Sequence, residues 1–380
     1  MAIRAAAKGV VTRWGRIALG FAALGFAALG CAALGCAARA QLIDERTSEP
    51  YAALVIADEG LQERTLQLSV PSPEGGAWPV RIREVESPAP LASERPVLVL
   101  LNGVFSDGGT WRFVTAPLAD RFDLLVIDLP GTGGSAGSAP DELPPSAFTL
   151  PWLGERVWGA LAIWQARQPA PRPLILVGHS LAGAVVLRML GDPQLRAGSA
   201  ELRALTVGAV LIGAADVGTA GWSPVMVELT KLSDVEVEIG GALGILESEV
   251  RGGVARSVEQ PEHRAFEMEA ARMLHALEEP DLRRSSQLML RRIRPIDEDE
   301  QPIWSRIRPL VDDHARVDVP VLLLWGENDD ILPIGTAQQL RSQIPGSRLV
   351  IIEGARHSVH QEKPLRVAAE IARFVDPLTR

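Results

Sequence analysis

Nucleophilic acyl chemistry needs a hydroxyl or a thiol, a base to take its proton and an acid to orient that base. Both cysteines, Cys31 and Cys36, stand near the N-terminus, so the rest of the chain offers hydroxyls only. The stretch "LILVGHSLAGAVVLRML", residues 174–190, sets Ser180 between an apolar β-branched run and an apolar helical run. A second serine competes. Ser135 in "GGSAG" fits the nucleophile pattern G-x-S-x-G to the letter, whereas Ser180 has Ala182 in the last slot.

The residues on the C-terminal side of each serine separate the two. After Ser180 the chain runs ten residues without a helix breaker. The first N–H groups of a helix there lack partners, and with the positive end of its dipole they can stabilise an oxyanion. A sharp strand-to-helix turn also brings the chain close to itself, which accounts for small residues two before and two after the serine. After Ser135 come Pro140, Pro144 and Pro145, which leave no room for a helix. Ser180 is the candidate nucleophile and Ser135 a loop residue. The overlapping "GTGGSA" fails as a dinucleotide motif for the same reason, because that motif must open a helix.

Six histidines are available: 179, 263, 275, 314, 357 and 360. His179 adjoins Ser180, but neighbouring side chains on a sharp turn point apart, so it is expected to pack. His263, His275 and His314 read as surface or insertion residues. His357 in "EGARHSVHQEKP" lies just past the last apolar run, where the serine turn should also emerge, and is the preferred base, with His360 as competitor. Acids come after the penultimate run in "LLLWGENDDILP": Glu327, Asp329 and Asp330.

These groups converge only if the elements between them form a sheet. "RTLQLSV" and "WPVRIREV" alternate in polarity and are expected to pair as a hairpin. Continuous apolar runs begin at 96, 123, 173, 207, 319 and 347, as strands buried on both faces do. Helical segments at 110–120, 151–168, 181–193, 335–344 and 364–375 separate most of them, which implies a doubly wound, mostly parallel α/β sheet. Residues 216–316 break this rhythm, with helix-like stretches at 245–258, 261–279 and 281–293. The expected organisation is a core of 41–215 and 317–380 with a helical lid at 216–316.

Hydrophobic residues make up 47% and charged residues 22%, a globular balance. Five of the 38 basic residues and none of the 47 acidic ones precede position 41, so beyond it 33 basic residues face 47 acidic. That surface repels phosphate backbones and excludes nucleic acid as a natural partner. Residues 1–40 differ: a basic head precedes an apolar run from Ile17 to Ala38, the layout of an export signal or membrane anchor. "ALGC" occurs twice and is similar to a bacterial lipoprotein signal that would lipidate Cys36, with Cys31 as the alternative. The expected location is outside the cytoplasmic membrane, free or attached through this segment.

The landmarks "LLNGVFSDGGTW", "DLPGTGGS", "VGHSLAGAVV", "WGENDDILP" and "EGARHSVHQEKP" succeed one another as in the α/β-hydrolase fold family. The chain from about 64 to 377 resembles the family's lid-bearing serine hydrolase branch, similar to esterases and lipases. The resemblance implies Ser180 as nucleophile, Asp329 as acid and His357 as base, with the N–H groups of Val104 and Leu181 as oxyanion donors. It departs at Asn102, where the family has histidine, and at Ala182. Some relatives carry the acid after an earlier strand, where Asp216 stands here. The implied activity is hydrolysis of a small-molecule carboxylic ester or related acyl compound, with no cofactor and no metal. Serine at the turn argues against epoxide and alkyl halide chemistry. Alternatives are C–C bond or amide hydrolysis by the same residues, and a non-catalytic ligand-binding homologue.

Overall fold

The computed structural model describes residues 61–72, 75–86, 96–137, 143–144, 146–215, 231–259, 264–293 and 303–379. The N-terminal segment expected to direct export, Asp216 and His263 lie outside the described residues. The two alternating runs form β1 (Gln62–Pro71) and β2 (Ala77–Glu86), an antiparallel hairpin. The apolar runs become β3 (Val97–Leu101), β4 (Leu124–Ile127), β5 (Leu174–His179), β6 (Thr206–Ile212), β7 (Val321–Gly326) and β8 (Arg348–Ile352). All eight join one sheet in the order β1-β2-β4-β3-β5-β6-β7-β8, parallel from β4 onward. The order reverses direction between β3 and β5, and ligands of open α/β sheets bind beyond the strand C-termini at such a switch.

Alternation along each buried strand divides the core into two layers. Val97, Val99 and Leu101 of β3 and Leu174 and Leu176 of β5 pack with α2 (Leu150–Gln165) and α3 (Leu181–Gly191). Leu98, Leu100, Ile175 and Val177 face the other way, onto α1 (Arg112–Ala119) and the C-terminal helix Pro364–Val375. Truncating one of these fully buried leucines to alanine costs about 2–5 kcal/mol. β8 departs from the expectation of a strand buried on both faces. Among the described residues it pairs with β7 alone, and Ile351 is 44% exposed.

Among the described residues, five α-helices lie between β6 and β7: α4 (Asp234–Ala242), α5 (Ile245–Val254), α6 (Arg264–Glu278), α7 (Pro280–Ile293) and α8 (Trp304–Asp312). No strand interrupts them among the described residues. The apolar faces of α4 to α7 build a third cluster, including Leu246, Val250, Phe266 and Leu277, and Phe105 from the loop after β3 belongs to it, whereas Leu310 and Val311 of α8 pack on the α2–α3 layer. His314, expected at the surface or in the lid, is buried. It sits in the turn Asp313–Arg316 with Nδ1 2.9 Å from Gln343 Oε1, because α9 (Ile334–Gln343) covers it.

Candidate active site

Ser180 sits between β5 and α3 with φ 54° and ψ −120°, outside the allowed regions for an L-residue. Such a conformation costs on the order of 1–3 kcal/mol and persists only where the surroundings impose it. Here the Ser180 N–H donates to the Ile212 carbonyl (3.0 Å), and its carbonyl accepts from Gly183 (2.9 Å) and Ala215 (2.9 Å). The predicted crossing is present: a Cβ on Gly178 would stand 2.6 Å from the Ala182 carbonyl oxygen, so no larger residue fits. Ala182 is itself fully buried, and its methyl is accommodated.

The loop after β3 faces this turn. A Cβ at Gly103 would lie 3.1 Å from Ser180 Cβ. Asn102 is fully buried and ties the loop down from the position where the resemblance implies a histidine. Its Nδ2 donates toward Gly103 O (2.9 Å), Ser106 O (3.1 Å) and Thr132 Oγ1 (3.0 Å), and its Oδ1 accepts from the Leu129 N–H (3.0 Å). Phe105 takes φ 53°, uncommon for a bulky residue, and its side chain is held in the cluster of insertion residues. The N–H groups of Val104 and Leu181 make no hydrogen bond among the described residues.

Asp329 leaves the end of β7. Its Oδ1 accepts from the N–H groups of Ile331 (2.9 Å) and Leu332 (2.8 Å), which aims Oδ2 at His357 Nδ1, 2.9 Å away. Neither side chain is open to solvent, at 0% and 7% exposure. Burial works against the charged imidazolium, but the Asp329 carboxylate and its hydrogen bond outweigh it, with help from Glu269 and Glu362, and raise the His357 pKa. With Nδ1 donating to Asp329, Nε2 is left as the acceptor a base requires. Asp330 points elsewhere, pairing with Arg356, and Glu327 accepts from the Gly354 N–H (3.2 Å).

The imidazole packs on the same segment that anchors the serine. A Cβ at Gly213, one residue beyond Ile212, would be 3.2 Å from His357 Nδ1. Ser180 and His357 therefore both rest on the Ile212–Gly213 segment at one edge of the sheet, and no hydrogen bond joins their side chains among the described residues. Catalytic contacts of this kind often tighten only with substrate bound.

The other candidates have structural partners. Ser135 Oγ donates to Asp128 O (2.8 Å) and accepts from the Arg81 N–H (2.8 Å), buried within a single 3₁₀ turn, Gly133–Ser135. His360 Nε2 lies 2.8 Å from Thr110 Oγ1, away from the acid. His179 Nε2 lies 3.2 Å from the His357 carbonyl oxygen, and burial, then the His357 charge, lowers its pKa to about 3. It is a neutral donor that holds the His357 backbone. The sequence reading missed this role, since a residue at a sharp turn gives no sign of what packs against it.

A model of the alpha/beta hydrolase family matches residues 98–370. The chain is 25% identical over 284 residues to a pimeloyl-(acyl-carrier protein) methyl ester esterase of Aeromonas hydrophila, spanning 74% of this chain and 95% of that one. It is similarly related to the uncharacterized hydrolase YugF of Bacillus subtilis, 25% identical over 283 residues, with 74% and 90% spanned. Among solved structures, carboxylesterase CesB of Bacillus subtilis superposes with a TM-score of 0.59 at 16% identity, covering 89% of this chain and 99% of that one. With the matched region running from β3 into the C-terminal helix, the chain belongs to the alpha/beta hydrolase family.

Proposed function

We propose that the protein is a serine hydrolase that cleaves a carboxylic ester or related acyl bond. His357 Nε2 takes the proton of Ser180 Oγ as that oxygen attacks the carbonyl carbon. The negative oxygen is met by the N–H groups of Val104 and Leu181. Collapse expels the alcohol, protonated by His357, and leaves an acyl-serine. Water, deprotonated by the same imidazole, then releases the carboxylic acid and restores the serine. Asp329 keeps the tautomer and steadies the imidazolium. The 2.9 Å Asp329–His357 bond beside the Ser180 turn carries this reading, and the ester-cleaving relatives support it.

A fluorophosphonate probe tests it. The wild type is expected to label and Ser180→Ala to lose all labelling. Ser135→Ala, which removes two internal hydrogen bonds, should label normally while losing about 1–3 kcal/mol of stability. A wild type that does not label would favour a ligand-binding role, and faster turnover of p-nitroanilides than of p-nitrophenyl esters would favour amide cleavage. We further propose that the segment between β6 and β7 covers the site as a lid and that the N-terminal segment directs export. The mass of the mature N-terminus distinguishes cleavage before Gln41, a lipidated Cys36 and a retained anchor.

A further inference from the structure

The loop carrying His357 is tied to the insertion twice. Residues 256–259, after α5, make the first tie. The Ser358 N–H donates to the Ser257 carbonyl (2.8 Å) and Arg356 Nε to Glu259 Oε2 (2.7 Å), while Arg256 Nη2 donates to the Asp330 carbonyl (2.6 Å) in the neighbouring loop after β7. The second tie runs through side chains. Glu269 Oε2 on α6 accepts from Arg272 Nη2 (2.6 Å) and from Gln361 Nε2 (2.7 Å). Arg272 Nη2 donates also to Gln361 Oε1 (2.6 Å). Gln361 Nε2 reaches Thr110 Oγ1 (3.1 Å), the hydroxyl that meets His360. Thr110, His360 and Gln361 are fully buried, while the side chains of Arg272 and Glu269 are 4% and 17% exposed.

No step of the hydrolysis above uses these groups. A buried ion pair roughly breaks even against apolar packing, so stability alone does not account for five polar side chains converging beside one loop. We propose that Glu269 is a positioning residue for His357: through Gln361 it fixes the loop that carries the imidazole, and its charge favours the imidazolium formed when Ser180 gives up its proton. The inference rests on the hydrolase reading. The groups facing His357 are Asp329 after β7, Glu362 on its own loop, His179 from β5 and Glu269 from α6. Arg272 neutralises part of the Glu269 charge, and Arg356 pairs with Glu259 and Asp330. His179 and His360, whose rings lie 4.4 Å apart, are kept neutral by burial. Glu269 is therefore the negative charge that the insertion adds to the site.

The test measures kcat and KM for a p-nitrophenyl ester against pH in wild type and Glu269→Gln. The variant is expected to lose kcat several-fold with KM within twofold, and the acid limb of kcat/KM should move to lower pH by about half a unit. A folded, fluorophosphonate-labelled variant with an unmoved limb would overturn the proposal and leave the hydrolase reading standing. An unlabelled wild type would remove both. Gln361→Met decides the matter if Glu269→Gln does not fold, because it cuts the bridge and keeps the carboxylate. It should lower kcat with the limb in place, and unchanged kcat would overturn the positioning role.

Discussion

His357 and His179 lie with ring centroids 4.9 Å apart and are driven in opposite directions. Burial acts on both; only His357 has a carboxylate bonded to its ring, and its pKa rises while that of His179 falls to about 3. Since a base must be unprotonated, activity should rise with pH through a limb above the ordinary imidazole value of about 6.5. Asp329→Asn keeps the shape but removes the charge and the preferred tautomer. It is expected to lower kcat/KM by about 10³–10⁴-fold and to move that limb to lower pH, as a pH–rate profile would record. The places of Ser180, Asp329 and His357 were legible, because each follows a strand in the expected order. Glu269, Arg272, Gln361 and Thr110 were not, because Glu269 and Gln361 lie 92 residues apart and no local pattern relates them.

Elements carry these side chains to one edge, and the tightest constraint among them is the approach of the histidine loop to β7. A Cβ on Gly326 would stand 2.1 Å from the Arg356 carbonyl, so the backbone just before His357 would have to retreat. Gly326→Ala is expected to cost about 1–3 kcal/mol of stability and, with His357 as the proposed base, to reduce kcat about 100-fold by misplacing it. Chemical denaturation and ester turnover check the two separately. The strands were readable from continuous apolar runs, but two insertion helices were not. "DVEVEI" in α4 alternates like a strand, yet the capping box of Ser233 and Glu236 starts a helix, a signal present in the sequence. α8 contains Pro309, which argues against a helix locally; among its apolar residues Ile307 is fully buried.

Folding the whole chain around neutral histidines links its stability to acid. His179 and His360 have lowered pKa values, so the unfolded chain takes up protons near pH 6.5 that the folded chain refuses. Their contribution is complete above that value and is lost as pH falls toward the folded values; His357, with its raised pKa, works the other way. Replacing His360 with glutamine should therefore flatten the fall in stability below pH 6.5, by up to about 1.4 kcal/mol per pH unit. Urea midpoints of wild type and variant at several pH values would show it, and identical slopes would contradict it. The crossing at Gly178 has a wider meaning. The 2.6 Å clearance there is a matter of room, and it would be equally narrow if Ser180 were an inert residue. A descendant that had abandoned hydrolysis would still have to keep that glycine in order to fold. Small residues in this motif thus report a backbone that crosses itself, and only the side chain mounted on the crossing reports whether it has been put to chemical use.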